Sequence, residues 1–430
     1  MLNMNSKLEQ LEASGKKINI GLIGAGKMGC GMTSQMTCMR GINPAIIADR
    51  NLDKAQKAYI MAGISKDDIV VASKPSEAEN ALIRKKFVIT EDFEIATKTP
   101  YIDVVVDATG GLEVGAQIAL NSIYNKKHVV MLNVETDVTV GPILKKMADS
   151  AGVVYTVSAG DEPGAIKELY DFADGMGFEV LVAGKGKNNP LIREVNPDTI
   201  SKRAETQKVN PRMMVSFVDG TNTMIEMTAV SNATGFIPSK RGMIGPKATV
   251  KELPDILSLK EQGGILDRYH VVEYVHGISP GVFVIITTKS QAVKEELAYL
   301  SMGAGPNYVL YRPFHLTSIE TPLSAARAYF YNEPTIAPKG APVSETVAVA
   351  KKDLKAGEYL DGIGGYKVYG IIDTFENAKR ENAIPIGLIN SNTVLKCDVK
   401  KDKPITYDMV EMDESSLILQ LRRIQDKMLK

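Results

Sequence analysis

The stretch that most constrains this chain is Ile18-Asn-Ile-Gly-Leu-Ile-Gly-Ala-Gly-Lys-Met-Gly29. Ile20, Leu22 and Ile23 predict a short strand, and Gly24, Gly26 and Gly29 follow it at G-x-G-x-x-G spacing. The three glycines serve different ends, in turn a tight turn, close approach of backbone to a pyrophosphate, and close helix–strand packing. The segment from Met28 to Met39 then predicts a helix whose N-terminal N–H groups and dipole face that pyrophosphate. A second strand, Ala45-Ile-Ile-Ala48, ends in Asp49, about 20 residues beyond the glycines, where a carboxylate can grip a ribose hydroxyl. A purely structural strand–turn–helix would not need Asp49. The stretch therefore reads as a nicotinamide-dinucleotide site, with Gly24, Gly26, Lys27, Met28, Gly29, Asp49 and Arg50 as cofactor contacts. Asp49 favours the free 2′-hydroxyl of NAD, whereas Arg50 beside it can accept the 2′-phosphate of NADP.

The strand–helix rhythm continues. Asn51 caps a polar helix reaching Tyr59, and Phe87-Val-Ile-Thr90 offers a third strand. Ile102 to Gly110 reads as a parallel strand buried on both faces, because it is nearly continuous in β-branched residues. His128–Asn133 and Gly152–Val157 complete the series. The fold class expected for residues 1–164 is α/β, a Rossmann-type doubly wound parallel sheet. Ligands of such sheets lie at the carboxyl ends of the strands. Ala108, Thr109, Gly110, Asn133 and Gly160 are accordingly expected to touch the cofactor. Asp161 and Glu162 are expected to hold a divalent cation (Mg or Mn) or to order the substrate.

Charge narrows the partners. Fifty-one basic and fifty-one acidic residues cancel over 430 residues, so no global field favours nucleic acid or an acidic membrane. Anion recognition must be local. Three scattered cysteines without C-x-x-C spacing suggest reduced thiols and a cytoplasmic setting. Residues 1–17 lack the apolar core of a signal peptide, and no stretch is apolar enough to span a bilayer. Four histidines argue against histidine-rich metal or triad chemistry.

Beyond Gly164 the rhythm breaks down. Phe178–Ala183 predicts a strand running into Gly184-Lys-Gly-Lys-Asn-Asn-Pro190, and residues 212–235 read as one long helix. Strands at 270–275 and 281–288 suggest a mostly antiparallel α+β arrangement over 165–338, a substrate and dimerisation domain; Leu323–Tyr331 returns as a helix toward the first domain. Residues 339–430 read as short strands with a terminal amphipathic helix.

Candidate chemistry lies in the loops. Lys185 and Lys187 flank Gly186 at a strand end, where an ammonium can polarise a carbonyl or supply a proton as hydride arrives; the alternative is a pair of solvated turn lysines. Asp219, Asn222 and Glu226, at helical spacing, share one face and could bind hydroxyls or a cation. Asn189, the basic pair Lys240 and Arg241, and His315 are expected to contact the substrate, the pair by clamping a phosphate.

The run from Ile18 to Gly164 resembles homoserine dehydrogenase and its relatives, in its glycine motif, its Asp107-Ala-Thr-Gly110 strand end and Asn133 at the fifth strand. Asp353-Leu-Lys-Ala-Gly-Glu-Tyr-Leu-Asp361 resembles the SAF module, a small β-clip fold. The combination is similar to the 1-deoxy-D-xylulose 5-phosphate reductoisomerase-like enzymes. That resemblance implies NADPH (or NADH), isomerisation with hydride transfer in isoprenoid precursor synthesis, and a small anionic, phosphorylated substrate. A homo-oligomer, dimer or larger, is expected. Lys185 and Lys187 stand where homoserine dehydrogenases carry a Gly-rich, Thr/Asn-rich segment, which suits a substrate more anionic than homoserine. The rival readings are a homoserine-type or sugar-acid dehydrogenase without isomerisation, and a dinucleotide-sensing regulator.

Overall fold

The strand built from the opening motif, β1 (Ile18–Ile23), lies inside a seven-stranded sheet in the computed structural model, which describes residues 3–429. The other strands are β2 (Ile42–Ala48), β3 (Ile69–Val71), β4 (Phe87–Thr90), β5 (Val104–Asp107), β6 (His128–Met131) and β7 (Tyr155–Val157). Their order is β3-β4-β2-β1-β5-β6-β7, and every neighbouring pair is parallel. A sheet covered on both faces needs apolar residues on both faces, which is why Val104, Val105 and Val106 are all sealed from solvent. Within residues 63–92, whose local signals are mixed, β3 and the helix Pro75–Ile83 precede β4.

The described chain forms two compact units. The first comprises residues 3–164, 316–337 and 420–429; the second comprises 165–315 and 338–419. In the first unit the helix Thr321–Tyr331 packs against β1, β5 and β6. Residues 420–429 serve a more particular purpose. The helix Val134–Ala151 contains Pro142, which lacks an N–H and pushes away the preceding turn. Near that defect the N–H of Ile143 donates to Gln425 Oε1 at 3.2 Å, while Arg422 Nη1 donates to Thr139 O at 3.4 Å. Gln425 Nε2 also reaches Thr139 O at 3.5 Å. One side-chain amide thus meets both Ile143 N and Thr139 O, the i→i−4 pair next to the proline.

In the second unit a five-stranded sheet runs β12-β11-β8-β10-β9, made of β8 (Glu179–Gly186), β9 (Ile237–Pro238), β10 (Val271–Val275), β11 (Val282–Thr287) and β12 (Asn307–Arg312). β8 pairs antiparallel with β11 and parallel with β10, and β9 is parallel to β10. The sheet is therefore mixed rather than mostly antiparallel. The chain passes through helices between β8 and its parallel neighbour β10, the long return that such a pair requires.

The single helix expected over 212–235 is two helices, Pro211–Val218 and Thr221–Thr234. The break falls at Asp219 and Gly220. Gly220 adopts φ +86°, and a Cβ there would lie 2.5 Å from Leu191 Cδ1, so this left-handed turn takes glycine. Asp219 is consequently not on the helix that carries Asn222 and Glu226. That second helix is buried everywhere except at Asn222, which is half-buried. On one side Met224, Met227 and Val230 pack with Val272, Val282 and Val284 of the sheet. On the other lies an antiparallel pair, β13 (Ser344–Ala350) and β14 (Val368–Thr374). Buried hydroxyls stitch that contact: Thr228 Oγ1 lies 2.8 Å from Thr346 Oγ1, and Gly370 N donates to Thr221 Oγ1 at 2.8 Å. A second short pair, β15 (Val394–Leu395) and β16 (Val410–Glu411), completes the unit's strands. No helix among the described residues is long and apolar enough to cross a membrane.

Candidate active site

The glycine turn after β1 has the geometry a dinucleotide needs. Gly24 sits at φ +103° with room for no Cβ, since one would lie 2.7 Å from Ala108 O. A Cβ on Gly29 would come within 2.0 Å of Gly24 O, which fixes helix against strand. A Cβ on Gly26 would meet nothing within 4 Å, so this glycine faces open space. The helix Lys27–Cys38 starts there with no side-chain cap, and its N-terminus and dipole suit an anion. Asp49, at the end of β2, accepts from Ala25 N at 2.8 Å and from Asn51 N at 2.9 Å. Each carboxylate oxygen keeps acceptor capacity for a ribose hydroxyl. Lys27 and Arg50 are exposed and Met28 is half-buried. These residues fit a nicotinamide dinucleotide.

The other expected cofactor contacts lie at the ends of β5, β6 and β7. Asp107 is buried, its carboxyl pushed upward chiefly by burial, and it accepts from Thr109 N and Oγ1. Asn133 is buried with its amide committed to the protein: Nδ2 donates to Asp107 Oδ2 at 3.1 Å and Gly111 O at 2.8 Å, and Oδ1 accepts from Thr136 N. Ala108 is half-buried, while Thr109 and Gly110 are exposed. Gly160 is a glycine for internal reasons, because a Cβ would lie 2.3 Å from Thr317 O. Asp161 and Glu162 are buried at the start of the helix Glu162–Gly175.

In the second unit, Lys185 and Lys187 lie two residues apart along β8 and its exit, so both side chains take the same face of the strand. They are not solvated turn lysines: Lys185 is 4% and Lys187 5% exposed. Lys185 is paired with Glu226, whose other oxygen accepts from Asn222 Nδ2 at 2.6 Å. Lys187 Nζ donates to Phe217 O at 2.9 Å. Its ammonium is pushed down to about 8, first by burial and then by the charge of Lys185, with Glu226 and Asp219 pulling the other way. His276, just past β10, is held below the usual imidazole range by burial and by the Lys187 charge. Gly184 and Gly186 answer to the protein's own packing rather than to a ligand. A Cβ on Gly184 would strike Glu273 O at 2.3 Å, and one on Gly186 the Ser279 N at 2.5 Å.

Asp219 lies at the helix break, where Oδ1 accepts from Thr221 N at 2.8 Å and its main-chain oxygen accepts from Arg193 at 2.5 Å. Its Oδ2 is 2.8 Å from the ammonium of Lys351, a buried ion pair. The remaining predicted contacts scatter. Asn189 Oδ1 accepts from Arg203. Arg241 Nε donates to Asp373 at 2.6 Å and Nη2 to Glu381 at 2.5 Å, so two carboxylates already match its charge. Lys240 is exposed and His315 half-buried in the loop after β12. Arg193, His276 and Lys351 join the site without any local sequence signal, since their partners are far away along the chain.

Residues 24–158 match the family model described as the NAD binding domain of homoserine dehydrogenase, and residues 160–321 match that described as the catalytic domain of oxidoreductase DRL. The chain is 27% identical over 149 residues to a homoserine dehydrogenase of Synechocystis sp., covering 33% of this chain and 29% of that one. It is 31% identical over 119 residues to a homoserine dehydrogenase of Methylobacillus glycogenes, covering 27% and 25%. The chain thus spans less than a third of the length of these curated relatives. Among solved structures it is similar to a scyllo-inositol dehydrogenase from Lactobacillus casei (TM-score 0.37, 13% identity, 64% of this chain and 74% of that). Another is a probable dehydrogenase from Thermotoga maritima (TM-score 0.35, 13% identity, 70% and 69%). With the cradle described above, the two family matches make the chain an NAD(P)-dependent oxidoreductase. Its nucleotide-binding part is similar to that of homoserine dehydrogenase.

Proposed function

We propose that the chain oxidises and reduces a small, anionic, hydroxyl-bearing substrate without rearranging it, with Lys187 handling the hydroxyl proton. The observation that carries this reading is the Lys187 amine, buried and held at about 8 beside a fixed Lys185–Glu226 pair. A general acid or base works best when its pKa lies near the operating pH. The bound nicotinamide supplies or accepts the hydride. In the reducing direction the Lys187 ammonium gives its proton to the carbonyl oxygen; in the oxidising direction the neutral amine takes it from the hydroxyl. Lys185, held by Glu226, which Asn222 in turn anchors, orients the oxygen under attack. Lys185, Lys187 and Arg193 outnumber the carboxylates near them once Lys351 has neutralised Asp219, which supports an anionic substrate.

The rearranging alternative draws its support from the likeness of the glycine motif and of residues 353–361 to the reductoisomerase-like enzymes, and its extra step needs more than hydride and proton transfer. Steady-state assays with NADH and NADPH should include homoserine, sugar acids, polyols and phosphorylated ketoses. Simple alcohol–carbonyl interconversion on an anionic compound supports the proposal. A branched-chain product from a phosphorylated ketose replaces it with reductoisomerisation, and tight cofactor binding without turnover on any of them favours the sensor.

A further inference from the structure

Lys351 comes from the C-terminal part of the chain, directly after β13, yet its ammonium is sealed beneath the helix break at Asp219. The two side chains are 1% and 0% exposed, and Nζ lies 2.8 Å from Asp219 Oδ2. The same ammonium donates to Val195 O and to Gly365 O, each at 2.9 Å. Two of the ammonium's three donors are thereby used, and it meets Asp219 as an ion pair. Lys351 therefore ties together the segment before the helix Pro197–Gln207, the break itself, and a turn of the C-terminal segment.

That break supplies the partners of both lysines on β8. Phe217, whose carbonyl holds Lys187, lies two residues before Asp219. Asn222, which holds Glu226 against Lys185, lies three residues after it. The charged and titratable groups around Lys187 come from each neighbouring element: Lys185 on β8, Glu226 on the helix, Asp219 at the break, Arg193 before it, and His276 after β10. Glu226 is matched by Lys185, and Asp219 is matched by Lys351. Take Lys351 away and Asp219 becomes a buried carboxylate without its ion-pair partner, whose charge acts on Lys187.

We propose that Lys351 is a positioning residue for Lys187: by neutralising Asp219 and fixing the helix break, it sets the charge and place of the amine that moves the proton. The proposal rests on the reading of Lys187 given above, so one of its readouts is independent of turnover. In the full-length chain, Lys351→Met should raise the Lys187 titration midpoint by about one pH unit, because Asp219 then favours the ammonium. Asp219→Asn should lower it, because the Lys351 charge is then unmatched. The double variant should restore it, and NADH affinity should be the same in all three.

Two measurements report that midpoint. One is the pH profile of kcat, in which Lys351→Met should also lower kcat at least about tenfold at pH 7 while leaving KM for the cofactor unchanged. The other is the pH dependence of the unfolding free-energy difference between each background and its Lys187→Met derivative, which reads Lys187 through linkage whether or not it is catalytic. Opposite shifts in the single variants and cancellation in the double would establish the role. If those shifts are seen by stability and kcat is indifferent, the proton-transfer reading fails and the positioning stands. Equal midpoints in the folded single variants, or a double variant displaced as far as Lys351→Met, would overturn the proposal. Should Lys351→Met not fold, Asp219→Asn against the double variant carries the same comparison.

Discussion

Replacing Lys187 with methionine should make the protein more stable and nearly inactive at once. The lysine is displaced from an ordinary 10.5 to about 8, which corresponds to about 3 kcal/mol of folding free energy withheld wherever both states would otherwise be protonated. The direction follows from proton binding: between pH 10.5 and 8 the unfolded lysine carries a proton that the folded one does not. Stability therefore falls as pH drops through this window, and the deficit is complete below about 8. Methionine keeps the length and the apolar stem but has nothing to protonate. It leaves Phe217 O without its donor, a loss of about 1 kcal/mol, so the net gain at pH 7 should be about 2 kcal/mol. Above pH 10.5 the gain should vanish and become a small loss. Turnover should fall by about two to four orders of magnitude, with cofactor affinity unchanged. Urea unfolding of both proteins across this pH range, beside steady-state kinetics, tests each part. Equal stability at pH 7, or a difference that does not shrink with rising pH, would refute the buried-amine account.

Asp49→Ala should weaken NADH binding more than NADPH binding, because the lost carboxylate recognises a free ribose diol and also holds the glycine turn through Ala25 N; fluorescence titration showing equal affinities with wild type would remove the ribose assignment. Arg241→Ala should destabilise the chain by about 2 kcal/mol, since it strips the counter-charge from Asp373, whose side chain is 2% exposed. The cost stays below that of a fully sealed pair because the guanidinium is 33% exposed. Substrate KM should stay unchanged in this variant; a raised KM with unaltered stability would return Arg241 to phosphate binding.

The nucleotide-binding unit was legible because its constraints are local. Gly24 and Gly29 are fixed by backbone oxygens within the same supersecondary unit, and strands buried on both faces must be apolar throughout. Asn51 caps its helix as its position predicts, accepting from Lys54 N. Legibility failed where partners are remote. Apolar residues fill the 212–235 stretch on both sides of Asp219-Gly-Thr-Asn-Thr223, and Gly220, which marks the break, is a residue that helices also tolerate at some cost. Arg241 looked available for an anion because Asp373 and Glu381 lie far along the chain. Gly184 and Gly186 suggested ligand approach, and a neighbouring strand and loop explain them instead. The catalytic candidates Lys185 and Lys187 were visible as a pattern, but the burial that distinguishes them from surface lysines is a tertiary property.

The patch that Gln425 and Arg422 apply to the Pro142 helix has a consequence for the order in which the protein can be made. The ribosome finishes residues 3–164 long before it reaches residue 425. At ordinary elongation rates of about 5–20 residues per second, that interval lasts roughly 13 to 50 seconds. Throughout it the nascent nucleotide-binding unit lacks the Gln425 and Arg422 contacts to a core helix, and it also lacks the Thr321–Tyr331 helix against β1, β5 and β6. The amino-terminal half must therefore wait, incompletely sealed, for the carboxyl-terminal residues to arrive. Truncations that remove Arg422 and Gln425 would for the same reason damage the cofactor-binding unit, whose own strands lie far earlier in the chain.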